Sequence, residues 1–230
     1  MRANYEEATR ILSTYMQLVV DEANSRGLNV IDLEGYQATK TNFFDNIQLY
    51  DPLLVICAGH GNESGFYAQN DENVLRACTN DQIMSGREGI FNSCSVGVVL
   101  GPSMVNKTAR WFAGWRADYL FMYDPEASDP LEDMYARPFM ECIIQPALTR
   151  LRTDNLTAIV SDTKNLFNSK IAEWWNSTDP LAQDIITLLI HDRDNFMVTG
   201  ESVGGGLTAN TFPLLLIGGL VAGHFLFGFP

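Results

Sequence analysis

The stretch PLLVICAG, residues 52–59, constrains this chain more than any other. It is apolar without alternation. A strand wetted on one face alternates apolar and polar residues, whereas a continuous run suits a strand covered on both faces, as in parallel sheets flanked by helices. Its surroundings fit that setting. Residues 4–25 carry Ile11, Leu12, Tyr15, Leu18 and Val19 at helical spacing, with acids in the first turn, and Arg26-Gly27 stops the pattern. LNVIDLEG reads as a short buried strand, and TKTNFFDNIQLY as a helix opened by a Thr or Asn cap. After PLLVICAG, GFYAQND suggests a small hairpin and DENVLRACTNDQIMSG a partly helical segment. REGIFNSC and RWFAGW are further strands, with a loop and helix over VVLGPSMVNKTA between them. Residues 131–152 and 163–191 return to helical patterning, and NFMVTGE is a last strand. Strands alternating with helices imply an α/β domain with a mainly parallel sheet.

Two features break this pattern. The first good element is a helix, whereas doubly wound sheets normally begin with a strand that ends up central. Either the chain start is truncated, or another segment or subunit fills the central slot. The second feature is the apolar run TFPLLLIGGLVAGHFLFGFP, residues 211–230, which holds no Asp, Glu, Lys or Arg and follows the Gly-rich joint at 203–210. Its length approaches the ~20 residues of a spanning helix. It reads as a C-terminal membrane anchor, as a tail buried in an oligomer or assembly, or as an extra strand, and it is one candidate for the vacant slot.

Charge narrows the partners. Fifteen Lys and Arg face 28 Asp and Glu, for a net charge of −13. That balance argues against a nucleic-acid partner, which needs clustered bases, and leaves room for basic substrates. The four cysteines form no C-x-x-C pair and have no His at zinc spacing, so neither a metal nor another cofactor is expected. The first ten residues lack an apolar signal core, and a reducing cytoplasmic compartment is the simplest reading.

In open α/β sheets, reactive residues gather at the carboxyl ends of strands. Two such ends carry chemistry: Gly59-His60-Gly61 after LLVICA, and Ser93-Cys94-Ser95 after GIFN. Adjacent parallel strands would bring them within side-chain reach, and a thiol near an imidazole is a nucleophile–base arrangement. The bland alternatives are a structural histidine and a cysteine acting as a small buried hydrophobe. Cys57 and Cys142 read as core, Cys78 as helix packing and His191 as structural. His224 carries no assignment.

The order strand–His60-Gly61–spacer–strand–Cys94 resembles the caspase-like (clan CD) cysteine peptidases, nearest to the gingipain-type and CHAT-type branches. The similarity covers about residues 5–202, with NFMVTGES resembling the closing strand. Ser93 stands where the family usually has Ala or another small residue, and Glu201-Ser202 depart from the family's turn. The resemblance implies a three-layer sandwich over residues 1–202 and a thiol peptidase acting on a protein or peptide. Cys94 would attack as thiolate and His60 would protonate the leaving amine without needing to deprotonate the thiol directly, with the backbone N–H groups of Gly61 and Cys94 as oxyanion hole. It also implies a pocket beside the Cys strand, with Trp115 as a wall and Asp118 or Asp124 as acids to receive an Arg or Lys. The alternative is a silent caspase-like domain serving as a structural subunit of a homo-oligomer.

Overall fold

The computed structural model describes residues 4–201 and the backbone of 214–218. Its helices are α1 (Glu7–Ser25), α2 (Lys40–Tyr50), α3 (Leu100–Asn106), α4 (Arg137–Arg152), α5 (Leu156–Trp175) and α6 (Ala182–Asn195). Its strands are β1 (Val30–Leu33), β2 (Leu54–Ala58), β3 (His60–Asn62), β4 (Gly65–Tyr67), β5 (Asn73–Arg76), β6 (Glu88–Asn92), β7 (Trp111–Trp115), β8 (Phe196–Gly200) and β9 (Leu214–Gly218).

The main sheet is mixed and mostly parallel. β9 lies between β1 and β2, parallel to both, with Leu214 opposite Val30 and Leu54. Backbone hydrogen bonds from Glu88 N to Leu53 O (2.8 Å) and from Gly59 N to Asn92 O (2.9 Å) tie β2 to β6 in parallel. β6 pairs parallel with β7, and β8 closes that edge antiparallel to β7. β3, β4 and β5 form a separate antiparallel meander inserted between β2 and β6.

The unbroken apolar run of β2 is buried along its whole length, and its side chains divide between two cores. Leu54, Ile56 and Ala58 join a cluster with Ile11, Tyr15 and Val19 of α1 and with residues of α4, α5 and α6. Val55 and Cys57 join a second cluster with Phe43 and Ile47 of α2 and Leu100 and Met104 of α3. Each strand side chain is therefore covered by helix, which explains the missing alternation. Local signals set the helix ends. Glu6 and Thr9 form a reciprocal capping box on α1, and Thr39 Oγ1 accepts from Asn42 N (3.2 Å) at the start of α2. One ion pair is wholly interior: Arg150 Nε on α4 donates to Glu88 Oε2 on β6 at 2.8 Å.

Four expectations are corrected. In the partly helical segment 71–86 the helical part is only the 3₁₀ turn Asp81–Met84, and Asn73–Arg76 forms strand β5. Asn80 is the physical reason: its side chain accepts from Arg76 N (2.7 Å) and donates to Val74 O (2.8 Å), competing with helical hydrogen bonding. Cys78 consequently sits exposed in a turn at φ 60°, not packed in a helix. The helical span 163–191 is two helices, broken between Trp175 and Ala182 where Pro180 lies. Residues 131–136 precede α4 as a loop, because Asp133 Oδ1 accepts from Tyr135 N and Ala136 N while its Oδ2 accepts from Asp124 N.

The slot the sequence left open is filled from within the chain: Leu214–Gly218 of the apolar run lies inside the sheet between β1 and β2, one strand in from the β1 edge and not at its centre. The Gly-rich joint 203–210 and the rest of 211–230 lie outside the described residues. Among the described residues, no helix is long and apolar enough to cross a membrane.

Candidate functional site

The carboxyl ends of β2 and β6 converge. Gly59 leaves β2 with its N–H on Asn92 O, and the chain turns directly into β3 with His60 opposite Tyr67. Gly61 then passes so close to the exit of β6 that a Cβ there would lie 2.5 Å from Cys94 O and 2.8 Å from Ser93 Cβ. Only a residue without a side chain permits this approach. The two segments singled out in the sequence are thus in direct contact through backbone.

The exit of β6 is itself sharply bent. Ser95 takes the left-handed conformation (φ 55°), its N–H donates to Ala117 O (3.0 Å), and its hydroxyl donates to Asp118 Oδ1 at 2.8 Å. The turn after Cys94 is thereby pinned to the exit of β7. Positive φ at a non-glycine residue stores strain and is often found at functional turns.

Buried polar groups with unmet hydrogen-bonding capacity collect here. His60 Nδ1, Asn92 Oδ1 and Ser93 Oγ are inaccessible and have no hydrogen-bond partner. Such groups are rare in folded proteins and each calls for a reason. The other ring nitrogen of His60, Nε2, lies 3.4 Å from Asp71 Oδ1. Burial pushes the His60 pKa down to about 4, against the attraction of Asp71 for the charged form, so the imidazole is neutral near pH 7. Asn92 donates to Met16 Sδ at 3.4 Å, which turns it toward α1. Cys94 also belongs to the core on that face and has no exposed surface. Burial drives the Cys57 and Cys142 thiols well above the ordinary range, consistent with inert packing.

The expected pocket residues are placed differently from one another. Trp115 is wholly buried and has no surface to line an open pocket. Its Nε1 donates to Asp192 O (3.1 Å), and its ring packs on Tyr119 and Phe196 with centroids 5.0 and 5.1 Å away. α6 and β8 close over it. Asp118 adjoins the Cys94 turn through Ser95, and its backbone carbonyl is 3.0 Å from His191 Nε2. Asp124 is occupied in its own loop, accepting from Glu126 N at 2.9 Å. Asp118 therefore adjoins the strand-end cluster, whereas Asp124 belongs to the loop held by Asp133. Among the described residues, no group of three His, Cys, Asp or Glu could hold a metal ion.

Three neighbours escaped sequence reasoning: Asn92, Asp71 and Tyr5. Tyr5 Oη donates to the same Asp71 Oδ1 at 3.0 Å, and Asn4 N donates to Gln69 Oε1 at 3.3 Å, so the segment entering α1 is fastened beside His60. The available signal was Asn70-Asp71, both left-handed, a pair of residue types that tolerate such a turn. Its proximity to His60 depends on the meander's register. No family model, curated protein or solved structure matches the chain.

Proposed function

We propose that this chain is a caspase-like cysteine endopeptidase domain with a Cys94–His60 dyad. The observation that carries the reading is the close approach of Gly61, next to His60, to Ser93 and the Cys94 carbonyl at adjacent parallel strand ends, where His60, Asn92 and Ser93 each bury a polar atom without a partner. The helices on both sides of a mainly parallel sheet are consistent with the three-layer sandwich of that family. β9 lies inside that sheet, between β1 and β2.

In this reading Cys94 Sγ attacks the carbonyl carbon of the scissile amide while His60 takes the thiol proton. His60 returns that proton to the leaving nitrogen as the C–N bond breaks, leaving a thioester. Water, deprotonated by the same imidazole, then attacks the thioester, frees the carboxyl product and restores the thiol. A neutral imidazole is the form this general-base role needs. The N–H groups of Gly61 and Cys94 receive the negative charge that develops on the carbonyl oxygen, a role worth ~10²–10³ in rate per donor. Asp118, beside the Cys94 turn, would meet a basic side chain before the cut.

A second reading, a silent caspase-like structural subunit, is favoured by the complete burial of Cys94. One experiment separates the two. The protein is treated with thiol-directed peptidyl electrophiles bearing Arg, Lys or Asp, and the adduct is mapped. Adduct at Cys94, lost in His60→Ala, supports the peptidase. A folded protein that stays unlabelled and forms ordered oligomers supports the structural subunit.

A further inference from the structure

Asp71 lies outside both strand-end motifs, on the turn just before β5, yet its carboxylate is the charged group nearest the His60 ring. Oδ1 stands 3.4 Å from Nε2. A carboxylate only accepts hydrogen bonds, so this contact is attractive when Nε2 carries the proton. A neutral imidazole has one N–H, and Nδ1 is then bare. The opposite tautomer would set the Nε2 lone pair against a carboxylate. It would also leave an N–H at Nδ1, which is buried and has no partner. Both consequences are unfavourable, and they fall on the same tautomer.

We infer that Asp71 is the positioning residue of the site: it holds His60 as the Nε2–H tautomer and leaves the buried Nδ1 as the proton-accepting nitrogen. The inference deepens the dyad reading and rests on it for its catalytic meaning. Tyr5 has a part in the same arrangement. Its hydroxyl takes the shorter bond to Asp71 Oδ1, 3.0 Å against 3.4 Å, and so fixes where the carboxylate stands. Asp71 has most of its side chain in solvent, and its left-handed backbone suits Asn as well as Asp. Asp71→Asn is therefore compatible with the fold. Asp71 faces the His60 ring, Tyr5 and Glu6 of the segment entering α1 lie beside Asp71, and Tyr67 stands opposite His60 across the meander.

The test is long-range ¹H–¹⁵N correlation on histidine-labelled protein at pH 7, with His60 assigned by its loss in His60→Ala. The expected wild-type pattern is a protonated Nε2 and a bare Nδ1. Asp71→Asn, whose amide can donate to Nε2, is expected to abolish that preference and lower the His60 pKa. Tyr5→Phe is expected to keep the tautomer. A wild-type proton on Nδ1, or an Asp71→Asn spectrum identical to wild type, would overturn the inference. The tautomer is read without turnover, so it decides on Asp71 even where no electrophile labels Cys94. Where labelling occurs, Asp71→Asn is expected to slow it about tenfold, a fraction of what acid–base catalysis contributes.

Discussion

Gly61→Ala tests the contact on which the site is built. The added methyl would stand 2.5 Å from Cys94 O, 2.7 Å from Val96 Cγ1 and 2.8 Å from Ser93 Cβ. The nearest of these is backbone, which cannot swing aside like a side-chain tip. Overpacking of this kind costs about 1–3 kcal/mol, and a backbone obstacle places the cost at the upper end, about 3 kcal/mol. Replacing Gly by Ala also restricts the unfolded chain, which offsets about 0.4–1 kcal/mol. The net loss is then about 2 kcal/mol, or a Tm about 4–8 °C lower for a chain of this size. Urea titration and thermal scans read it directly. Gly65→Ala is the matched control in the same meander, because its Cβ would meet only the Asn73 and Tyr67 side-chain ends, at 3.0–3.2 Å. Its expected cost is below about 1 kcal/mol. The damage should also be local to the site, since moving Gly61 away from Cys94 carries His60 with it. Electrophile labelling at Cys94 should therefore fall further than the loss of stability explains. A Gly61→Ala protein within about 0.5 kcal/mol of wild type would refute the close approach of the two strand ends, and the dyad with it.

Other perturbations follow from the same structure. Arg150→Met, which strands the Glu88 carboxylate in the interior, should cost about 3–5 kcal/mol in urea, and Glu88→Leu/Arg150→Met together should recover most of it. Burial holds the Asp192 carboxyl well above its usual range, and its Oδ2 has no partner while Oδ1 accepts from Leu120 N. The folded state keeps that proton, so the contribution is fully present below the unfolded value of about 4 and is lost as pH rises through the folded pKa. Asp192→Asn should accordingly be more stable than wild type at pH 7, with the difference vanishing by about pH 3 in urea titrations. For His60 the sign reverses. Its folded pKa of about 4 lies below the unfolded value of about 6.5, so stability present above pH 6.5 is lost as pH falls toward 4, and His60→Gln should flatten that slope. Removing residues 211–230 takes away β9 and leaves facing edges of β1 and β2 unpaired. Size-exclusion chromatography should then show aggregation, and unfolding should lose its cooperativity.

Much of the frame was legible because it depends on local patterning. PLLVICAG announced a strand covered on both faces, and both cores claim its side chains. His60 and Cys94 were legible as candidates because each follows an apolar run at a strand end, a position that depends only on chain order. That Leu214–Gly218 pairs between β1 and β2 was left open, because an uncharged apolar run is equally at home in lipid, in an assembly or between two strands. Its parallel pairing to β1 and β2 decided among surroundings that the run alone does not distinguish. Strand β5 within segment 71–86 was not legible, because Asn80 satisfies the backbone through side-chain bonds that helical periodicity does not register. Trp115 was expected at an open rim because strand ends are usually accessible, yet α6 and β8 bury it. The strand–helix alternation and the placing of His60 and Cys94 at strand ends follow from short-range apolar order alone. Only the tertiary structure decided that Gly61 meets Cys94 and that Asp71 and Tyr5 stand beside His60. Those contacts join residues far apart in the chain, and the register of the meander and the docking of α1 create them.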